Sequence, residues 1–330
     1  MLMQSRHAFL KTFAALPFVL AGLTPTGAAA DQWPTQPIKL IVSSAAGGGA
    51  DSVARLIGQH ISTATKQPVI VENRAGASGV LAANAVLAAP ADGNTFLFGF
   101  TTMAQLPATS VTPLPFNVER DFIPVSLVAK SSNVLVVSRA AGVTNVAQLF
   151  AAAKKDPKSF SYGSYGNGST GHFLGAQFAD IAQSDLAHIP YKGAAPMMND
   201  ILGGVLPFGF PDVGSAAPHL NSDRVRLLAV TGDKRLPSLP QVPTMEELGY
   251  KGFNLGAWFG VFAPRGTPAV AVNGLSARIA AAVADPEVQV KLKGWNLDPV
   301  GSKADSFAKF FSADLKGWSD VARKANIRAE

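Results

Sequence analysis

Short apolar segments alternate with helical segments along this chain, and this alternation restricts the fold more than any other feature of the sequence. Residues 38–42, 68–72 and 95–100 are apolar runs of strand length, and residues 50–66 and 79–88 between them are predicted helices. Strands and helices that alternate with short connections form right-handed βαβ units, in which helices cover both faces of a parallel sheet. The sequence therefore predicts an α/β fold.

A second α/β series follows, and two long apolar segments join it to the first. Residues 122–137 form two apolar runs joined by Ser131-Ser132-Asn133, long enough to leave one sheet and enter another, and residues 255–263 form the second such segment. We therefore expect two lobes around a cleft, each a mostly parallel sheet flanked by helices. The predicted organisation is lobe I at 31–130 plus 255–330 and lobe II at 131–254.

The predicted elements continue through both parts of the chain. The helices are expected at 145–155, 170–181, 197–202, 268–284 and 304–325. The strands are expected at 160–162, 186–190, 206–210 and 225–230.

The first 30 residues have the features of a signal peptide. A basic, acid-free start is followed by the apolar run 13–23 and by Ala28-Ala29-Ala30, which fits a cleavage site. The apolar run is too short to span a bilayer. Residues 5–11 resemble a twin-arginine export signal, but His7 stands where the second arginine belongs, so we favour the Sec route. We expect a periplasmic mature chain.

Composition excludes several classes of protein. The sequence contains no cysteine, which excludes a lipid-anchored protein and a disulfide scaffold. The signal segment carries two of the 28 Lys and Arg residues and none of the 22 acids, which leaves 26 against 22, a net charge of +4. Because the basic residues form no block, we expect no nucleic-acid partner, although the mild excess favours small anions.

Three glycines at residues 47–49 stand between a strand and a helix, where phosphate-binding loops also occur. A P-loop requires a lysine directly after its last glycine, and the next lysine here is Lys66. A dinucleotide-binding loop requires a third glycine where this chain has Ser52, and Asp51 would repel a pyrophosphate. The loop therefore fits neither of these nucleotide-binding motifs.

The sequence offers little support for catalysis. It contains no Gly-x-Ser-x-Gly nucleophile motif, no His-Glu-x-x-His zinc motif and no cysteine nucleophile. We interpret His60, His188 and His219 as solvated or structurally hydrogen-bonded histidines. We therefore expect no catalytic residue, no metal and no cofactor; a secreted enzyme that uses His172 or Asp212 as an acid-base group is the alternative.

Binding of an anion is better supported. Successive backbone N–H groups at 47–49 can converge on an anion, aided by the positive end of the helix dipole, with Asp51 as the expected helix cap. A tight turn explains these glycines equally well. Residues 161–172 form a similar polar loop before a helix, with Ser169 or Thr170 as the N-cap. Two donor-rich helix starts, one from each lobe, suit a ligand with two acidic ends.

Short motifs occur in a specific order along the whole mature chain. They are Trp33-Pro34 and residues 38–51, 68–76, 89–93, 122–128, 191–193, 236–244 and 258–264. Together they resemble the tripartite tricarboxylate transporter substrate-binding proteins, the Bug family of periplasmic receptors. The resemblance implies a type II, Venus flytrap periplasmic binding protein. We expect it to be a monomer that binds a small carboxylate and delivers it to membrane permease subunits.

The resemblance also implies where the ligand binds. It matches residues 43–49 and 166–170, with His172, to the two ligand loops, and Asp212 to a specificity position that can meet a ligand amine or hydroxyl. Thr101, Thr102 and Tyr191 follow strand ends and could form side walls, although each such position alone is more often a turn. The predicted ligand-binding residues are Ser43, Ser44, Ala46, Gly47, Gly48, Gly49, Thr101, Thr102, Gly166, Asn167, Gly168, Ser169, Thr170, His172, Tyr191 and Asp212.

One loop departs from the family pattern. Where the family usually has Val-Pro-Phe-x-x-Gly-Gly, residues 42–48 are Val-Ser-Ser-Ala-Ala-Gly-Gly. The pocket wall there is smaller and more polar, so the sequence does not identify the ligand. We interpret Asn73 and Arg74 as mainly structural, with Arg74 bracing the loop after the second strand. A receptor that signals to a sensor kinase instead of feeding a permease fits the sequence as well.

Overall fold

The computed structural model describes residues 33–219 and 222–328. The predicted signal peptide, residues 1–30, lies outside this range. None of the helices in the described ranges combines the length and the apolar character needed to cross a membrane.

Strands and helices alternate as the sequence predicts. The strands are β1 (Ile38–Val42), β2 (Val69–Asn73), β3 (Thr95–Phe100), β4 (Phe122–Ser131), β5 (Val134–Ser138), β6 (Tyr162–Ser164), β7 (His188–Pro190), β8 (Phe208–Gly209), β9 (Val225–Val230), β10 (Ala257–Pro264) and β11 (Leu297–Pro299). The helices are α1 (Gly49–Thr65), α2 (Val80–Leu87), α3 (Thr102–Thr109), α4 (Val146–Lys155), α5 (Thr170–Ala182), α6 (Ala194–Gly203), α7 (Val213–Ala216), α8 (Ala269–Ala284), α9 (Pro286–Gly294) and α10 (Ala304–Lys324).

A six-stranded sheet has the order β11-β4-β10-β3-β1-β2. Strand β1 pairs in parallel with β2 and β3, whereas β10 is antiparallel to both β3 and β4, and β11 is antiparallel to β4. Strands β1 to β4 therefore run in one direction, and β10 and β11 run in the other. Helices α1 and α8 cover one face of this sheet, and α2, α3 and α10 cover the opposite face.

A five-stranded sheet has the order β7-β6-β8-β5-β9. Strand β6 is parallel to β7 and β8, and β5 is antiparallel to β8 and β9, so β5 alone is reversed among these strands. Helices α4 and α5 cover one face, and α6 and α7 cover the other. The predicted α/β fold with two mostly parallel, helix-covered sheets is confirmed, with three reversed strands that make both sheets mixed.

We call the part built on the six-stranded sheet lobe I and the part built on the five-stranded sheet lobe II. The chain passes from β4 to β5 and thus from one sheet to the other, as predicted for residues 122–137, and it returns through β10. The predicted lobe boundaries stay a prediction. Phe173 and Ala176 of α5 pack into the apolar cluster of lobe I, although α5 covers the sheet of lobe II. The boundary between the apolar clusters therefore differs from the boundary between the sheets.

Aromatic side chains fill the space between β10 and α10. Trp258 and Phe262 point from β10 toward Phe307 and Phe311 of α10, and the centroids of these β10 and α10 rings lie between 5.1 and 6.0 Å apart. Positions 307, 311 and 318 recur at helical spacing, so one face of α10 is buried on the sheet. Burying each of these rings stabilises the fold by about 1.5–3 kcal/mol.

This packing predicts the effect of one added methyl group. A Cβ at Gly260 of β10 would overlap Cζ of the buried Phe307 ring and lie 2.9 Å from its Cε1. We expect Gly260→Ala to lower the free energy of unfolding by about 1–3 kcal/mol because the ring must move. The control is Gly294→Ala, because a Cβ at Gly294 would have no atom of the described residues within 4 Å and would not disturb the packing. Urea unfolding measures both; equal stability of the two variants would contradict the packing described.

Candidate ligand-binding site

The first candidate loop connects β1 to the N-terminus of α1. Gly48 is the N-cap of α1 and makes no side-chain capping hydrogen bond, and Gly47 has a φ of +81°, a left-handed conformation that favours glycine. Ala46 is exposed beside them. The first N–H groups of α1, beginning at Gly49, therefore remain available to an anion at the positive end of the helix dipole.

Asp51 does not cap α1 as expected, because it is the third residue of the helix and reaches back to the loop. Its carboxylate accepts hydrogen bonds from the Gly47 N–H at 2.9 Å, from Arg55 Nε at 3.1 Å and from Asn73 Nδ2 at 2.9 Å. Burial acts to raise the pKa of Asp51, but these bonds outweigh it and hold the pKa below its usual value. Because the Gly48 N–H donates to the Ala45 carbonyl oxygen at 3.4 Å, two of the three glycine donors are already used within the protein.

The two serines that replace the family's Pro-Phe are held by neighbouring strands. Ser43 is buried, with Oγ 3.4 Å from the Phe98 carbonyl oxygen, and the Ser44 carbonyl oxygen accepts a hydrogen bond from Asn73 Nδ2 at 3.2 Å. Asn73 therefore braces this loop from β2. Arg74, the residue after β2, was expected to brace the loop that follows, but its guanidinium pairs with Glu72 of β2, with Nε 2.6 Å from Oε1.

The second candidate loop connects β6 to α5. Ser169 is the N-cap, accepting a hydrogen bond from the His172 N–H at 3.4 Å and donating one from its hydroxyl to the Gly166 carbonyl oxygen at 2.7 Å. Gly166 and Gly168 both have positive φ, and Asn167 between them is exposed. Of the two residues predicted as the N-cap, Ser169 is the N-cap in the structure.

His172 is fixed as a neutral hydrogen-bond donor. The Gly168 N–H donates to its Nδ1 at 3.1 Å, which assigns the ring proton to Nε2. Its ring stacks on His188, with centroids 3.7 Å apart, and His188 Nε2 lies 2.7 Å from Ser164 Oγ. Burial lowers the pKa of both rings to about 4, and for His172 the proximity of His188 adds to the effect. The hydrogen bond of His188 agrees with its predicted structural role.

The remaining candidates make contacts within the protein. Thr101 is buried, and its Oγ1 accepts a hydrogen bond from the backbone N–H of Trp258 at 2.8 Å. Thr102 is half-buried at the start of α3. The Tyr191 hydroxyl donates to Asp200 at 2.7 Å. Asp212 caps α7, and its two oxygens accept the N–H of Ser215 at 2.9 Å and the hydroxyl of Ser215 at 2.7 Å.

Close contacts group several of these candidates within each lobe. In lobe I, a Cβ on Gly79 would lie 3.3 Å from Ser43 Cβ and 3.7 Å from Thr102 Oγ1, so the ends of β1 and β3 meet at this glycine. In lobe II, a Cβ on Gly166 would lie 3.8 Å from the carbonyl oxygen of Tyr191. The described residues contain no group of three or more His, Asp or Glu side chains that could hold a metal ion.

The chain matches a known family over most of its length. The model described as "Tripartite tricarboxylate transporter family receptor" matches residues 53–327. The chain belongs to this receptor family. The resemblance stated from the sequence is thereby confirmed.

Solved structures of related proteins share the fold of this receptor. Rpa4515 of R. palustris, solved with adipate, is 34% identical with a TM-score of 0.76, over 90% of this chain and 99% of that one. The periplasmic binding protein BugD is 30% identical with a TM-score of 0.73, over 90% and 100%. MatC (Rpa3494) of Rhodopseudomonas palustris, with bound malate, is 27% identical with a TM-score of 0.72, over 88% and 99%. The periplasmic-binding-protein fold is thus confirmed.

Gln105 connects the two lobes of the receptor, and Asn133 anchors the crossing between them to lobe II; neither was predicted as a site residue. Gln105 Nε2 of α3 donates to Thr170 Oγ1 of α5 at 3.1 Å, and both residues are buried. Asn133, in the crossing from β4 to β5, donates from Nδ2 to the Phe210 carbonyl oxygen at 2.9 Å and to the Tyr165 hydroxyl at 3.3 Å. Gln105 lies in a helix that the apolar pattern does not predict, and the sequence marks Asn133 only as part of the Ser131-Ser132-Asn133 junction.

The histidine pair makes the stability of the receptor depend on pH. The folded protein keeps both rings neutral down to about pH 4, whereas an unfolded chain protonates them near their ordinary pKa of 6.5. The unfolded state therefore binds more protons in this window, and we expect the pair's contribution to stability to be present above pH 6.5 and lost as the pH falls toward 4.

A double variant isolates this contribution. Asp314 acts in the opposite sense, since burial raises its pKa from 3.8 to about 6 and it loses stabilisation as the pH rises through that range. Comparing the receptor with a His172→Asn/His188→Asn variant cancels the Asp314 effect. Urea unfolding at several pH values should show that the double variant loses less stability between pH 6.5 and 4; parallel pH profiles would contradict the assignment.

Proposed function

We propose that this protein is a periplasmic receptor that binds a small acid with two carboxylates between lobe I and lobe II, and delivers it to the permease subunits of a tripartite tricarboxylate transporter. The observation that carries the proposal is the pair of glycine-containing loops, each of which leads from the carboxyl end of a strand into the N-terminus of a helix. Helix N-termini of this kind bind carboxylates through backbone N–H groups.

The two loops would bind the ligand in different ways. In lobe I, Gly49 offers a backbone donor at a helix start that no side chain caps, whereas the Gly48 N–H already donates to the Ala45 carbonyl oxygen. In lobe II, Gly168 and Ser169 hold His172 so that its Nε2–H is a neutral donor. None of the proposed contact residues is lysine or arginine, so hydrogen bonds and helix dipoles would balance the ligand's charge.

The relatives support the chemical class of the ligand. Rpa4515 was solved with adipate and MatC with malate, and both molecules carry two carboxylates. Ser43 and Ser44 are smaller than the proline and phenylalanine usual in the family. The pocket wall at the first loop therefore leaves room for a ligand that differs in shape from the usual ones. Asp212 already accepts two hydrogen bonds, but a carboxylate has about four lone-pair sites, so it can also accept a hydroxyl or amine of the ligand.

Closure of the lobes would couple binding to transport. A ligand that contacts both loops has a higher affinity for the closed state than for the open one, and this difference shifts the population toward closure. The permease would then recognise the closed receptor. We further propose that the mature receptor is a monomer in the periplasm, because each chain supplies both loops of the proposed site.

Ligand titration tests the function. Residues 31–330, stripped of ligand by unfolding and refolding, should be titrated with adipate, malate and citrate while thermal unfolding is followed. An acid present at about 100 times its dissociation constant should stabilise the fold by about 2.7 kcal/mol. Adipamide is the matched control because it keeps the carbon chain of adipate without its charges. Equal stabilisation by adipamide, or none by any of these acids, would contradict the proposal.

A single substitution tests the first loop. A Cβ at Gly49 would make only an ordinary contact, 3.8 Å from the Phe259 ring, so Gly49→Ala should fold normally. The added methyl group would stand where a carboxylate approaches the backbone, and we expect roughly tenfold weaker binding, about 1.4 kcal/mol. Gly203→Ala, with one contact at 3.9 Å on α6, is the control and should bind as the wild type does. Unchanged affinity in Gly49→Ala would remove this loop from the site.

A further inference from the structure

A cavity of about 700 Å³ lies between the lobes, away from the two candidate loops. In lobe I it is lined by the ends of β4, β10 and β11, whereas the first candidate loop follows β1 on the opposite side of β10 in the sheet order. In lobe II it is lined by residues 232–238, which follow the edge strand β9, whereas the second candidate loop follows β6. We call it the rear cavity, and its volume is typical of a small-molecule site.

A buried carboxylate lines the rear cavity. Asp314 of α10 is 6% exposed, and its Oδ2 accepts the indole N–H groups of Trp258 and Trp318, each at 2.8 Å. Its second oxygen, Oδ1, accepts no hydrogen bond from any residue in the described ranges. A buried carboxylate with one free oxygen is a strong acceptor for a charged donor.

An ammonium group lines the same cavity. Lys130 lies at the end of β4, directly opposite Trp258 in the pairing with β10, and its Nζ is 4.6 Å from the centroid of the Phe310 ring. Among the described residues no carboxylate lies within 4.0 Å of this Nζ. Lys130 and Asp314 therefore present opposite charges to one cavity without forming an ion pair with each other.

The walls of the rear cavity combine apolar side chains with a link between the lobes. Leu127 and Leu297 line it from lobe I, and Leu236 lines it from lobe II. At its edge Lys234 of lobe II forms an ion pair with Asp298 of lobe I at 3.2 Å. Both lobes therefore line the cavity, and it has apolar surface beside the charges of Lys130 and Asp314.

We propose that the rear cavity is a second binding site, for a small zwitterion with an apolar side chain such as an α-amino acid. Asp314 Oδ1 binds the ligand's ammonium group, Lys130 Nζ binds its carboxylate, and the leucine walls contact its side chain. A ligand with only one charge would leave one of these two groups without a partner and would meet a like charge in the same cavity. This site is separate from the proposed transport site and does not depend on it.

Indole NMR signals provide a local test. The ¹⁵N-labelled mature protein should be titrated with L-leucine while the side-chain N–H signals of its tryptophans are recorded. The signals of Trp258 and Trp318 should shift to saturation because both N–H groups bind Asp314. The signal of Trp33, which donates to the Gly93 carbonyl oxygen at 2.8 Å, should not move. No shift of Trp258 and Trp318 up to the solubility limit of leucine would overturn the proposal.

Matched ligands and variants separate this site from the first. 4-Methylpentanoate lacks the amino group of leucine and 3-methylbutylamine lacks its carboxylate, and each should bind roughly tenfold more weakly or worse. Asp314→Asn keeps an acceptor for both indoles, and Lys130→Met keeps the length of the side chain; each should weaken leucine binding by a similar factor and leave adipate binding unchanged. Undiminished leucine binding in Lys130→Met, or direct competition between leucine and adipate, would overturn the proposal.

Discussion

The position of β10 between β3 and β4 is the constraint on which the rest of the structure depends. This strand comes late in the chain, yet it pairs with a strand on either side of it and carries Trp258 and Phe262 into the core beneath α10. Because β4 leads out of lobe I and β10 leads back into it, the two crossings lie side by side. The crossings therefore divide the space between the lobes, with the candidate loops on one side and the rear cavity on the other.

The candidate site relies on backbone groups and neutral donors instead of cationic side chains. Asp51 and Asn73 fix the first loop, and Ser169 together with the Gly168–His172 hydrogen bond fixes the second. The buried bond between Gln105 and Thr170 ties the second loop's helix to lobe I. If the proposed site is correct, selectivity among acids would depend on the spacing of the two helix starts and on side-chain acceptors such as Asp212, and less on the amount of positive charge.

Much of the fold can be predicted from the sequence because apolar runs bounded by polar residues mark its strands. Residues 38–42 and 95–100 are predicted to the residue, and Ser131-Ser132-Asn133 marks the crossing between the sheets. Helix α3 is not predicted because Pro107 interrupts it, and β11 is only three residues long. The positions of both candidate loops follow from the strand–helix order, but the contacts of Asp51 and Gln105 depend on residues distant in sequence, which no local pattern reveals.

The bracing of the first loop has a consequence for the thermodynamics of recognition. Asp51 holds the Gly47 amide, and Asn73 holds the Ser44 carbonyl group, before any ligand arrives. The conformational entropy of this segment is therefore lost when the protein folds, and an acid that binds at the proposed site would not have to order the segment again. In the proposed site, no local rearrangement at Gly47 would be needed for binding. Diffusion and the motion of the lobes would then limit the association rate.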